Sequence, residues 1–112
     1  MECNIETNLV GSLLIVKICG EIDHHTARPL RAKIDEALYY YRTPRVALDL
    51  SNVAFMDSSG LGLILGRFTL TRELGGELHI LNPNENVTKV LELAGTGRLI
   101  KIERNATKGT VK

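Results

Sequence analysis

Short apolar runs alternate with segments of helical periodicity along most of this 112-residue chain. Strand-like composition is found over residues 4–8, 13–18, 45–50, 77–81 and 99–102. Helical spacing of apolar residues separates the later runs, whereas only a glycine-containing turn separates the first two. Because strands that alternate with helices form parallel sheets, the sequence predicts a single α/β domain. Its sheet is expected to be mixed, mostly parallel and about five strands wide, with three or four helices.

The predicted helices carry start and stop signals. Thr26 is expected to cap the first helix, and Pro29 to lie in its first turn, where a missing N–H is harmless. The second helix is predicted over residues 59–74, closed by Gly75-Gly76 as a left-handed cap. Asn84 is predicted to start the third helix. The residues expected to face inward from the first and third helices are Leu30, Ile34, Ala37, Leu38, Tyr41, Val87, Val90, Leu91 and Ala94.

The stretch from Asp57 to Gly62, with the sequence DSSGLG, lies where an apolar strand gives way to a helix. Aspartate and serine are both common N-cap residues, since their oxygens accept hydrogen bonds from the first free N–H groups of a helix. A hydroxyl at such a position is also exposed. Because the positive end of a helix tolerates a phosphate, Ser58 or Ser59 can be modified there without disrupting the domain.

Residues 55–67, which contain this stretch, resemble the phosphorylation segment of bacterial anti-sigma factor antagonists, which are STAS domains. A second segment, residues 20–27 with the sequence GEIDHHTA, resembles the loop before the first helix of the same family. The predicted order of strands and helices agrees with that family across nearly the whole chain. The predicted fold is therefore a single STAS-type domain over residues 1–103, followed by a polar tail over residues 104–112.

The resemblance implies a function and a site. The unphosphorylated form is expected to bind an anti-sigma factor that is also a serine kinase, which releases the sigma factor, and phosphorylation of Ser58 is expected to switch the protein off. The protein is then a kinase substrate and not an enzyme. ATP and Mg²⁺ are expected to be bound by the kinase, no cofactor by this chain, and a serine phosphatase is expected to reset the switch. The residues assigned to the partner surface are Asp23, His24, Thr26, Asp57, Ser59, Gly60, Leu61 and Gly62.

Charge and hydropathy exclude other classes of partner. The formal net charge is +1, from 14 basic and 13 acidic residues, so we expect no binding to nucleic acid or to anionic membranes. The apolar runs are too short to span a bilayer, and no signal-like segment precedes the first strand. We therefore expect a cytoplasmic protein, with Cys3 and Cys19 as reduced thiols.

Several features allow other interpretations. Gly60, Gly62 and Gly66 imitate a dinucleotide-binding loop, but the next strand ends without the acidic residue that holds a ribose. Gly62 and Gly66 lie one helical turn apart, so they can also form a small-residue strip that faces either the sheet or a partner. The pair His24-His25 is expected to be solvated instead of metal-binding or catalytic. Arg67 is expected to be a surface charge on the helix, with contact to a partner as the alternative.

Three further predictions concern the assembly, Asp23 and the C-terminal segment. A STAS module of a stressosome or another sensory assembly would share the fold and the serine, and is the alternative to a free antagonist. Asp23 is expected to serve the partner surface and not the core. The alternative is a carboxylate at the helix start that interacts favourably with the helix dipole. Members of the family usually end with a helix packed on the sheet, whereas residues 104–112 are polar and lack helical periodicity, so a frayed end is expected.

Overall fold

The computed structural model describes residues 4–104, within which strands and helices alternate as predicted. The strands are β1 (Asn4–Val10), β2 (Leu13–Ile22), β3 (Arg45–Met56), β4 (Glu77–Leu81) and β5 (Lys101–Glu103). The helices are α1 (His24–Tyr41), α2 (Ser58–Glu73) and α3 (Glu85–Leu93), and a 3-10 turn at Thr96–Arg98 precedes β5. The predicted fold class is confirmed.

The strands form one sheet whose spatial order follows the chain, β1-β2-β3-β4-β5. The β1–β2 hairpin is antiparallel, and the pairs from β2 to β5 are parallel. Each parallel pair is joined through a helix, and all of these connections step in the same direction. Because such connections are right-handed, the helices α1, α2 and α3 belong on one face of the sheet.

The main hydrophobic core lies between this helical layer and the sheet. It combines the buried faces of all three helices with alternate residues of the central strands, such as Leu14, Val16 and Ile18 of β2. The residues between them in the strands point to the opposite face. There Leu13, Ile15, Ala47 and Leu81 form a second, smaller cluster. The sheet thus holds α1 and α2 side by side in fixed positions.

The strands β2 and β3 extend further than the sequence predicts. They were expected to end at residues 18 and 50, yet their pairing continues to Ile22 and Met56. The register of this pair shifts twice beyond Lys17. Each irregularity interrupts the alternation of inward and outward side chains, which removes the sequence pattern by which a strand is recognised.

The predicted start of the first helix is wrong. α1 begins at His24 with Asp23 as its N-cap, so Thr26 is the third residue of the helix. Pro29 is the sixth residue and lies in the second turn. A proline there leaves the carbonyl group of His25 without its helical N–H donor. Because both residues are exposed, water can donate to that carbonyl instead.

The segment after α3 also departs from the prediction. Asn84 caps α3 as expected, but Ala94 is exposed instead of facing inward. Gly95, with a φ of 70°, then turns the chain into the 3-10 turn. The N–H of Leu99 donates to Thr96, so Leu99 stays outside the sheet and is 62% exposed. The last strand therefore begins at Lys101. Cys3 and residues 105–112 of the predicted tail lie outside the described residues.

Candidate functional site

The two segments singled out in the sequence lie next to each other. The ends of β2 and β3 are paired in parallel, with Ile22 opposite Met56. The backbone N–H of Asp57 donates to the carbonyl of Ile22 at 3.1 Å, which extends the pairing by one residue. Asp23 and Asp57 follow these paired strand ends, and each is the N-cap of the helix that comes next. The N-termini of α1 and α2 therefore lie next to each other at the edge of the sheet that is formed by the carboxyl ends of its parallel strands.

Asp23 begins α1 through a capping box. Its Oδ1 accepts hydrogen bonds from the backbone N–H groups of His25 at 2.8 Å and Thr26 at 3.0 Å. In return, the backbone N–H of Asp23 donates to Oγ1 of Thr26 at 2.9 Å, and that hydroxyl donates to the carbonyl of Glu21 at 2.8 Å. The hydrogen bond from the Thr26 N–H is the main cause of a lowered pKa for the Asp23 carboxyl group. Asp23 thus has the structural role at the helix start that was the alternative to a partner contact.

Asp57 caps α2 with a single hydrogen bond. Its Oδ1 accepts from the backbone N–H of Ser59 at 2.7 Å. Ser58 is the first residue of α2 and is exposed, whereas Ser59 is half-buried. The Ser58 hydroxyl forms no hydrogen bond within residues 4–104. The prediction that the serines lie at or beside the helix start is confirmed, and the structure distinguishes the two by their exposure.

Gly60 holds the first turn of α2 against the ends of β2 and β3. A Cβ atom at this position would overlap the side chain of Met56 and lie 3.3 Å from Cγ2 of Ile22. Gly60 is itself buried. It therefore positions Ser58 and Ser59 through close packing and does not present a surface to a partner. Its neighbour Leu61 is half-buried and packs against the core.

Gly62 and Gly66 have a different environment. A Cβ atom at either position would meet nothing within 4 Å among the neighbouring groups of the described part of the chain. Both glycines line an open groove of about 420 Å³ between α1 and α2. We call this the α1–α2 groove, and its lining residues are His24, Ala27, Arg28, Arg31, Ser59, Gly62, Leu63, Gly66 and Arg67. The glycine strip thus faces the groove and not the sheet.

Arg67 is not the surface charge that was expected. It is only 6% exposed, and its Nε lies 2.7 Å from Oδ1 of Asp35 on α1. The two atoms are in charge contact, although the N–H is not aligned for a hydrogen bond. Burial lowers the pKa of the guanidinium, and the charge of Asp35 opposes that change. The pair connects α1 to α2 beside the groove.

The structure also bears on the alternative interpretations. Gly60, Gly62 and Gly66 all lie within α2, whereas a dinucleotide-binding loop needs its first glycines in the turn before the helix. His24 and His25 are exposed, and no group of three or more metal-ligating side chains occurs within residues 4–104. Sequence reasoning missed Arg28 and Arg31 as groove residues. Their spacing of three along α1 places them on one face and was the available signal.

Comparison with known proteins identifies the family. The STAS domain model matches residues 4–108, and this chain belongs to the STAS domain family. The anti-sigma F factor antagonist of Paenibacillus polymyxa is 39% identical to it over 94% of this chain and 90% of that protein.

Two solved structures of the anti-sigma factor antagonist SpoIIAA share the fold. The unphosphorylated form is 31% identical, with a TM-score of 0.76 over 94% of this chain and 90% of that one. The phosphorylated form, from Bacillus, is 30% identical, with a TM-score of 0.69 over 94% and 93%. Within residues 4–104, no helix has the length and apolar character needed to cross a membrane.

Proposed function

We propose that this chain is an anti-sigma factor antagonist that is switched off by phosphorylation of Ser58. In its unphosphorylated form it binds, in the cytoplasm, an anti-sigma factor that is also a serine kinase, and so releases the sigma factor. The kinase binds ATP and Mg²⁺ and transfers the phosphoryl group, and a serine phosphatase removes it. The names of the relatives support the antagonist role. The choice of Ser58 follows from the family resemblance of residues 55–67.

The exposure of the Ser58 hydroxyl is the observation that carries the proposal. Ser58 occupies the first position of α2, and its hydroxyl has no hydrogen-bond partner within the described residues. A kinase can therefore reach it without unfolding the helix. Ser59 is half-buried and lines the α1–α2 groove. These differences support Ser58 as the acceptor and Ser59 as part of the contact surface.

The size of the electrostatic effect is sufficient for a switch. A phosphate carries about 1.5 to 2 negative charges at neutral pH. Two such charges about 6 Å from a partner carboxylate are repelled by roughly 1.4 kcal/mol in water, and by about 6 kcal/mol at an effective dielectric constant of 20. These energies correspond to roughly tenfold to ten-thousandfold weaker binding. Dissociation of the complex then needs no change of fold.

The acceptor is tested by incubating the protein with the purified kinase and ATP and mapping the phosphopeptide. Ser58→Ala is expected to abolish incorporation of phosphate and to keep binding the kinase in the presence of ATP. Ser59→Ala is the matched control, because it removes the neighbouring hydroxyl, and it is expected to remain a substrate. Phosphate on Ser59 of the wild type, or undiminished incorporation in Ser58→Ala, would show that the assignment is wrong.

A further inference from the structure

Positive charge dominates the lining of the α1–α2 groove. Its ionisable side chains include three arginines, and no aspartate or glutamate among residues 4–104 lines it. Asp35 lies beside the groove and neutralises Arg67 by direct contact. The Arg31 side chain is 69% exposed, and its ion pair with that carboxylate is long, with 3.9 Å between Nε of Arg31 and Oδ2 of Asp35. The Arg28 side chain is exposed and forms no ion pair or hydrogen bond within residues 4–104. Two solvated guanidinium groups thus lack a fully engaged partner.

The two helix starts at the mouth of the groove carry both signs of charge. The first turns of α1 and α2 contain no acidic residue. Asp23 and Asp57 accept hydrogen bonds from the N–H groups at the helix starts. The positive end of each helix dipole is directed toward the edge at which the groove opens, and these two carboxylates already offset it there. A negatively charged group is therefore favoured along the groove beside Arg28 and Arg31, and not at its mouth.

The groove is also shaped for close contact. No side chain within the described residues fills the space above Gly62 and Gly66, and glycine at these positions lowers the helix propensity of α2. The absence of side chains allows another backbone to approach the helix. A partner segment lying on this strip would bring its side chains within reach of Arg28 and Arg31, which line the opposite wall.

We propose that the α1–α2 groove receives an acidic segment of the anti-sigma factor, whose carboxylates pair with Arg28 and Arg31 while its backbone lies over Gly62 and Gly66. The proposal rests on the proposed function and specifies the chemistry of the partner surface. It also explains why phosphorylation weakens the binding of the anti-sigma factor. Ser59 lines the groove and Ser58 precedes it, so a phosphate on Ser58 adds negative charge where an acidic segment must enter.

Charge reversal tests the pairing. Arg28→Glu is expected to weaken binding of the purified cognate anti-sigma factor about tenfold at low salt, and Arg28→Glu combined with Arg31→Glu about a hundredfold. The salt dependence of the affinity should decrease in both variants, because fewer opposite charges remain to be screened. Arg98→Glu is the matched control, since Arg98 is exposed in the 3-10 turn that leads into β5, at the other end of the strands. Its affinity is expected to stay within about twofold of the wild type, as is usual for a charge outside an interface.

Cross-linking identifies the partner group directly. In Arg28→Lys, a zero-length carbodiimide is expected to join the new amine to a carboxylate of the anti-sigma factor, and mass spectrometry of the product locates that aspartate or glutamate. Arg98→Lys should give no such product. Coupling of residue 28 to a second copy of this chain would instead indicate self-association through the groove and would overturn the proposal.

These experiments distinguish a failure of the groove proposal from a failure of the proposed function. If the wild type binds the anti-sigma factor and phosphorylation releases it, while charge reversal at Arg28 and Arg31 changes nothing, the groove proposal is wrong and the proposed function stands. If the wild type neither binds the anti-sigma factor nor accepts phosphate, both fail. Circular dichroism of each variant confirms that lost binding is not lost structure.

Discussion

At the scale of single residues, Asp23 combines two requirements in one carboxylate. The family resemblance assigns it to the partner surface, and the structure makes it the N-cap of α1 with a complete capping box. The alternative role, a carboxylate at the helix start, is therefore confirmed, and the contact of Asp23 with the partner stays a prediction. A loss of binding on substitution is informative only when the cap and the charge are removed separately.

Two substitutions of Asp23 separate the capping role of its side chain from its charge. They are Asp23→Ala and Asp23→Asn. Asparagine is as good an N-cap as aspartate, whereas alanine is a poor one. Asp23→Ala is therefore expected to lower the Tm by roughly 3 to 8 °C, and Asp23→Asn to leave it nearly unchanged. If the charge contacts the partner, both variants should bind the anti-sigma factor more weakly. A Tm for Asp23→Ala equal to that of the wild type would contradict the capping role.

Comparison of the wild type with Asp23→Asn also gives a pH dependence of the folding stability whose direction can be predicted. The pKa of Asp23 lies below its ordinary value of 3.8 in the folded protein. The ionised carboxylate therefore stabilises the fold above the pKa of the unfolded chain, and this contribution is lost as the pH falls through the folded pKa. Asp23→Asn cannot show this loss. Relative to Asp23→Asn, the wild type should be more stable at pH 6 than at pH 3, as measured by thermal unfolding.

At the scale of elements, α2 shows that identical residues in one helix serve different purposes. Gly60 is buried against Met56, and Gly62 and Gly66 face the α1–α2 groove. Their spacing in the sequence does not reveal this difference, because it depends on which side of the helix meets the sheet. The first turn of α2, and with it Ser58, is held in place by the close approach at Gly60.

Alanine substitutions are expected to have opposite signs at these positions. Gly60→Ala should destabilise the protein by about 1 to 3 kcal/mol, because the added methyl group overlaps a buried side chain. Gly62→Ala should stabilise it by up to about 1 kcal/mol, because alanine has the higher helix propensity and meets no neighbour. Urea unfolding measures both. Effects of the same sign would show that the two environments have been assigned wrongly.

The parts of the fold that the sequence predicts are those set by local interactions. Asn84 and Gly75 mark helix ends because capping involves residues close in the chain, and the β4 boundaries follow from a short apolar run. The ends of β2 and β3 depend on irregular pairing between distant segments. The burial of Arg67 depends on Asp35, which lies on another helix. An arginine is usually exposed, so its own sequence context gives no sign of this contact.

At the scale of the whole molecule, the parallel arrangement of β2 and β3 creates the candidate site. Both strands end at one edge, and the helices that follow begin there, so two segments more than thirty residues apart in the sequence become neighbours. Ser58 lies on the outside of this arrangement, while Gly60 anchors the same turn inside. A charge added to Ser58 therefore acts on the surface and leaves the contacts of the core intact.

This arrangement leads to the final prediction, which concerns the phosphorylated protein. A phosphate at a helix N-terminus is neutral or stabilising for that helix, although Asp57 nearby reduces the benefit. The Ser58-phosphorylated form should keep its circular dichroism spectrum and melt within a few degrees of the unmodified protein, yet lose most of its affinity for the anti-sigma factor. Ser58→Asp should reproduce this only in part, since a carboxylate has less charge and fewer acceptor oxygens than a phosphate. A phosphorylated form with reduced helical signal or reduced amide protection in α2 would contradict this mechanism, because the loss of binding would then follow from a loss of structure.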